Sequence, residues 1–295
     1  MKNKLLNIKG KLLSLEKPLV MGILNVTPDS FFAESRMQQV DAMTERIETI
    51  LSEGGAIIDI GGYSSRPGAD FVTQDEEWRR LEPALNITTK KYPEIPVSVD
   101  TFRADIAKQA VMAYDVSIIN DISGGSLDED MFSTVAALNV PYILTHHSGL
   151  SQSIQRVTGL GKLHSEVSSG YHETDNGRLQ EEVMFYFAEQ LKTLRRIGVN
   201  DVILDPGFGF GKTFEQNYEL IRCLKNFSLF FECPLLAGIS RKSMIYKLLD
   251  VSADESLNGT TVLNTYSLLN GADILRVHDV KAAVEAVKLV EKLKK

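Results

Sequence analysis

Apolar and polar positions recur along this chain at two spacings. Short β-branched and apolar runs return repeatedly, each followed by a longer stretch in which apolar residues come back every three or four positions. The runs are Val20–Val26, Ala56–Ile60, Pro96–Asp100, Ser117–Ile122, Pro141–His146, Val202–Pro206, Pro234–Ile239 and Asp273–Val277. The helical stretches are Val40–Ser52, Asp75–Tyr92, Arg103–Met112, Glu129–Leu138, Leu179–Ile197, Phe214–Asn226, Leu257–Asn270 and Val280–Leu293. Eight strand–helix units in 295 residues, without a break in composition, predict one closed parallel (β/α)8 barrel over 1–295 rather than a doubly wound sheet with a second domain. Ahead of the barrel, residues 1–17 read as a β-hairpin turning at Lys9-Gly10, with the barrel floor as the surface it would cover. Residues 148–178 break the rhythm: they are rich in Ser, Gly and His and carry little period, which predicts a long irregular loop.

Composition narrows the function classes. With 43% apolar and 24% charged residues the chain has ordinary globular composition, which excludes disordered and collagen-like chains. A net charge of −7 repels nucleic acid and anionic membranes, so an anionic ligand has to be caught by a local basic site. Cys223 and Cys233 are too few for a disulfide framework and have no metal spacing, which suits a reducing compartment. The chain lacks an apolar run of the roughly 18 residues a membrane span needs, and lysines interrupt its first segment, so a cytoplasmic location is expected.

The unusual polar residues fall at the C-terminal ends of the predicted strands, where a parallel barrel carries its active site. A single Asp there would pass as a helix cap; polar residues on all eight ends do not. Asp100, Asn120, Asp205 and Lys242 supply carboxylates, an amide and a cation, a set suited to the edge of a polar heterocycle. Asn25, Arg66, Arg276 and His278 come from strands one, two and eight, which closure makes neighbours, and suit a phosphate. Two other readings fail on spacing. Gly211-Lys212-Thr213 resembles the end of a phosphate loop, but Pro206 stands where its first Gly belongs. His146 and His147 are adjacent, so a strand sends them to opposite faces, and no Cys or carboxylate nearby has zinc spacing.

The ordered segments Asn25-Val26-Thr27-Pro28-Asp29-Ser30-Phe31, Ser65-Arg66-Pro67-Gly68, Asp205-Pro206-Gly207-Phe208-Gly209-Phe210-Gly211-Lys212, Ser240-Arg241-Lys242-Ser243 and Arg276-Val277-His278-Asp279 resemble the dihydropteroate synthases, over nearly the whole chain. The resemblance implies a TIM barrel that joins (7,8-dihydropterin-6-yl)methyl diphosphate to 4-aminobenzoate, releasing pyrophosphate with Mg2+ assisting. It implies that Asp100, Asn120, Asp205 and Lys242 hold the pterin, with Arg276 lying against it and turned toward the diphosphate. Asn25 would meet Mg2+ or the diphosphate, and Arg66, Arg276 and His278 would hold the leaving group. Phe31, Ser65, Arg66, Phe210, Lys242 and Ser243 would form the aminobenzoate site. Asp100, Asp205, Lys242 and Arg276 would carry the catalysis. A cytoplasmic homodimer and sensitivity to sulfonamides are also implied. Two alternatives stay open: a pterin barrel that hands a methyl group to a corrinoid protein, and a pterin-binding homologue without catalysis.

The chain departs from the family's usual pattern at three places. Tyr63 stands where Glu is common, and Ser65 where Thr is common. His146-His147-Ser148 opens a longer segment than the usual one. The first loop has Ala33 in place of an Asp, with Glu34 next to it as a candidate substitute.

Overall fold

The computed structural model describes residues 5–27, 36–63, 72–148 and 178–294. Strands β1 (Leu5–Ile8) and β2 (Lys11–Ser14) form an antiparallel hairpin in which Ile8 faces Lys11. Its two turn residues, Lys9 at φ 52° and Gly10 at φ 86°, are both left-handed, as a two-residue turn of the favoured hand requires. Leu6, Ile8 and Leu15 are buried against Met21, Ile57, Ile118, Ile143, Ile203, Leu236 and Ile274, so the hairpin does cover the barrel floor.

Eight parallel strands follow: β3 (Leu19–Asn25), β4 (Ile57–Gly61), β5 (Val97–Asp100), β6 (Ile118–Asp121), β7 (Tyr142–Thr145), β8 (Val202–Asp205), β9 (Leu236–Ala237) and β10 (Ile274–Val277). They pair in the order β8-β7-β6-β5-β4-β3-β10-β9, and a parallel bridge between Leu204 and Leu235 joins the two ends into a barrel. Strand β9 is far shorter than the predicted run Pro234–Ile239. Beyond Ala237 the backbone bends away toward a turn at Arg241, which has φ 56° and closes with a hydrogen bond from Lys242 N to Ile239 O.

The surrounding helices are α1 (Arg36–Ser52), α2 (Gln74–Lys91), α3 (Ala104–Tyr114), α4 (Met131–Leu138), α5 (Arg178–Arg196), α6 (Phe214–Arg222), α7 (Leu224–Phe230), α8 (Ser243–Leu249), α9 (Leu257–Leu269) and α10 (Val280–Leu293). Two differ from the sequence expectation. The predicted helix Phe214–Asn226 is two helices, because the bonding tightens at Cys223: its N–H reaches Leu220 O, and Asn226 N reaches Cys223 O, both three-residue steps. The apolar periodicity runs through this joint unchanged, so the pattern does not mark it. Helix α8 was not predicted; at seven residues it is too short for periodicity to register.

Alternation along the strands sorts their side chains into two sets. Ile58, Ile60, Val99, Ile119, Leu144 and Leu204 pack outward under the helices. Their neighbours Ile57, Ile118, Ile143, Ile203 and Ile274 face inward on the floor, and the same inward face continues upward through Asp59, Asn120, Thr145, Asp205 and Arg276. The barrel interior is therefore apolar below and polar at its C-terminal mouth. Among the described residues no helix is long and apolar enough to cross a membrane.

Candidate active site

The polar layer is organised by one arginine and two carboxylates. Arg276, on β10, donates from Nε to Asp59 Oδ2 at 2.6 Å and from Nη2 to Asp100 Oδ2 at 2.8 Å. Asn120 Nδ2 donates to the same Asp59 oxygen at 3.1 Å, and Tyr63 donates its hydroxyl proton to Asp100 Oδ1 at 2.7 Å. Burial pulls the guanidinium toward neutrality, but Asp59 and Asp100 outweigh it and Arg276 titrates even higher than usual. Burial pushes Asp100 upward, with Asp59 adding to the push and Arg276 and Tyr63 opposing it. Asp205 accepts from Gly207 N at 2.7 Å; burial raises its pKa too, against the pull of Lys242.

Lys242 completes the ring from the segment between β9 and α8. Its ammonium donates to Phe208 O and lies 4.3 Å from the centre of the Phe210 ring, a cation–π contact. Burial lowers its pKa to about 8, with Asp205 resisting. Ser243 begins α8 directly after it. Gly209 keeps this corner open, because a Cβ there would meet Lys242 Cδ at 3.3 Å.

At the seam of β3 and β10, His278 Nδ1 lies 3.0 Å from Ser240 Oγ, which also accepts from the His278 backbone N–H at 3.2 Å. With the serine proton given to Nδ1, a neutral ring carries its own proton on Nε2, the arrangement of an anion donor. Arg46, on α1, reaches beneath this seam and donates to His278 O at 2.6 Å and Ile23 O at 3.3 Å. Asn25 ends β3 half-buried, with its Oδ1 3.7 Å from where a Gly61 Cβ would be. Gly61 thus leaves space between Asn25 and Asp100.

Asn25, Asp100, Asn120, Asp205, Phe210, Lys242, Ser243, Arg276 and His278 therefore all lie at the mouth. Phe31, Ser65, Arg66, Ala33 and Glu34 lie outside the described residues, as does nearly all of the expected loop 148–178. The two sequence subsets are less separate than their spacing suggested, since Arg276, grouped with the phosphate residues, is bonded to Asp100 of the heterocycle set. Asp59 was missed. It is fully buried, and its Oδ1 has no hydrogen-bond partner among the described residues. The signal was there: a charged residue at an inward position within Ile57-Ile58-Asp59-Ile60. Lys212 is turned to the backbone of its own loop: its ammonium donates to the carbonyls of His146, Gly207 and Phe210 at 3.0, 2.8 and 3.2 Å and ties the loop shut. His146 is likewise structural, buried beside Glu182, and burial lowers its pKa to about 4.

A barrel with a dry floor and a mouth of converging carboxylates, amide and cations defines an enzyme site for a small polar ring with an anionic tail. The chain belongs to the pterin-binding enzyme family, which it matches over residues 21–278, and within it to the dihydropteroate synthases, which are transferases. It is 38% identical to the dihydropteroate synthase of Synechocystis sp. across 94% of this chain and 91% of that one. The Yersinia pestis dihydropteroate synthase, solved with a sulfonamide drug, superposes with a TM-score of 0.83 at 33% identity, covering 98% of both chains. The Xanthomonas albilineans enzyme, solved with 4-aminobenzoic acid, gives a TM-score of 0.83 at 30% identity, covering 100% of this chain and 99% of that one. These relatives do not favour the methyl-transfer or non-catalytic alternatives.

Proposed function

We propose that residues 1–295 form one domain that condenses (7,8-dihydropterin-6-yl)methyl diphosphate with 4-aminobenzoate to give 7,8-dihydropteroate and pyrophosphate. The observation that carries the residue assignments is the hydrogen-bonded set Asp59, Asp100, Asn120 and Arg276 above an apolar floor, with Asp205 and Lys242 close enough beside it to act on each other's charge. Asn120 donates one amide proton to Asp59, which orients the side chain and leaves its carbonyl to accept from a ring N–H. Asp205 is a second acceptor and Lys242 a donor, which together match the alternating edge of a pterin. As the methylene–oxygen bond breaks, positive charge spreads into the pterin, and the Asp100 and Asp205 carboxylates face that charge from fixed positions. The arylamine attacks the methylene carbon and then sheds a proton; it is nucleophilic at neutral pH and needs no nucleophilic side chain from the protein.

Arg66, Arg276 and His278 are assigned to the diphosphate, and Phe31, Ser65, Arg66, Phe210, Lys242 and Ser243 to 4-aminobenzoate. Asn25 is the residue assigned to Mg2+. The fit is to an ion that arrives with the diphosphate: Asn25 Oδ1 is one hard oxygen donor beside an open position, and among the described residues no three His, Cys, Asp or Glu side chains converge on a metal site. An ion held by Asn25 would supply positive charge to the leaving pyrophosphate. A cytoplasmic homodimer completes the reading.

Incubation with the pterin diphosphate, 4-aminobenzoate and Mg2+ should release pyrophosphate and form dihydropteroate in equal amounts. Folded protein that yields neither product would overturn the assignment.

A further inference from the structure

Tyr63 stands at the mouth of the barrel with its whole side chain committed to one carboxylate. It follows the end of β4, is only 6% exposed, and gives its proton to Asp100 Oδ1 at 2.7 Å. Its ring meets Phe102 edge-on, with centroids 5.1 Å apart and planes at 69°, so the hydroxyl cannot swing away without breaking that contact. Arg276 takes the other Asp100 oxygen. The carboxylate is thereby clamped from two elements, and its side chain retains 14% exposure.

Burial alone would leave this carboxylate free to rotate and inclined to neutralise. Among the described residues, the charged and titratable groups facing it are Tyr63 and Asp59 from β4 and its end, Glu77 from α2, Lys242 before α8 and Arg276 from β10. Asp59 and Glu77 repel its charge. Arg276 is shared with Asp59, so a second donor dedicated to Asp100 has a distinct job. A hydroxyl supplies it without adding another charge to the layer, which a carboxylate at position 63 could not do.

We propose that Tyr63 is a positioning residue for the condensation, fixing the orientation of the Asp100 carboxylate that faces the developing cation. This rests on the reading of Asp100 given above.

The test is a double-mutant cycle of Tyr63→Phe and Asp100→Asn, each purified and assayed for dihydropteroate formation beside the wild type. Phe keeps the ring and its contact with Phe102, so the protein should stay folded, its thermal transition falling only modestly for the lost hydrogen bond. Tyr63→Phe should lower kcat by roughly ten-fold or more, the scale of a hydrogen bond to a charged group, while KM for 4-aminobenzoate stays unchanged. In the Asp100→Asn background the same change should have little further effect. An unchanged kcat in Tyr63→Phe, or an equal fold-loss in both backgrounds, would overturn the proposal. If Tyr63→Phe proves unstable, Phe102→Leu, which frees the Tyr63 ring without removing its hydroxyl, should give a partial loss of kcat that again vanishes with Asp100→Asn; a loss that persists there overturns it. Should the wild type itself form no product, the functional reading fails first, and that outcome is separate from either result of the cycle.

Discussion

Asp100 has a hydroxyl on one oxygen and a guanidinium on the other, and an asparagine could keep both neighbours: Oδ1 for Arg276, with Nδ2 donating to the Tyr63 oxygen. Asp100→Asn should therefore slow turnover strongly while the protein stays folded. Its stability should carry a pH signature. Burial pushes the carboxyl of the folded protein up to about 7, above its unfolded value, so its contribution to stability is full below the unfolded pKa of roughly 4 and is lost as pH rises through about 7. Asparagine lacks this loss, so the variant's melting temperature relative to wild type should improve from pH 4 to pH 8; a constant difference would remove Asp100 as the titrating group. Arg276→Lys should behave differently. An ammonium cannot bond Asp59 and Asp100 from one planar fork, so the fully buried Asp59 loses a partner. A stability loss of roughly 2 kcal/mol or more in urea denaturation, together with weaker pyrophosphate binding by calorimetry, is the expected result. At this scale Asp100, Asn120, Asp205 and Lys242 were legible because polar residues at strand ends are unusual. Asp59 carries a signal too, a charge at an inward strand position, but it sits one pleat deeper, among isoleucines, where polarity at the strand ends does not single it out.

The loops between strands and helices depend on backbone conformations that only some residues adopt. Gly207 has φ 72°, and a Cβ there would lie 1.9 Å from His146 O, a backbone atom that cannot move aside cheaply. Because Gly207 N also holds Asp205, Gly207→Ala should cost both stability and turnover, the left-handed backbone alone contributing about 1–2 kcal/mol. The hairpin is a contrasting case. Leu6 is fully buried on the floor, and Leu6→Ala should destabilise by about 2–5 kcal/mol in denaturant, yet leave KM for both substrates unchanged because the apolar layer separates it from the mouth. Loss of stability without a kinetic change would support that separation; a raised KM would contradict it. Most elements could be read from their period, since long amphipathic helices and apolar strands repeat it several times. The joint at Cys223 and the helix Ser243–Leu249 could not, as one is a local change in hydrogen bonding and the other is too short to repeat.

For the molecule as a whole, sulfonamides should inhibit in competition with 4-aminobenzoate, since both present an aryl amine with a polar para group. Inhibition that added 4-aminobenzoate fails to relieve would contradict the aminobenzoate assignment. The eight-unit alternation determined the barrel by itself, because each strand and helix carries its burial requirement in its own period and eight parallel units close on themselves. It also determined which end holds the site, since polar residues at strand ends cannot be buried in the floor. Only the tertiary structure decided which of those residues act together. The bonds from Arg276 to Asp59 and Asp100 span 217 and 176 residues of sequence, and the Tyr63 bond depends on which way a ring turns at a strand's end. Such partnerships follow from closure of the barrel, which brings β10 beside β3 and opposes side chains across its interior; no spacing along a single strand encodes them.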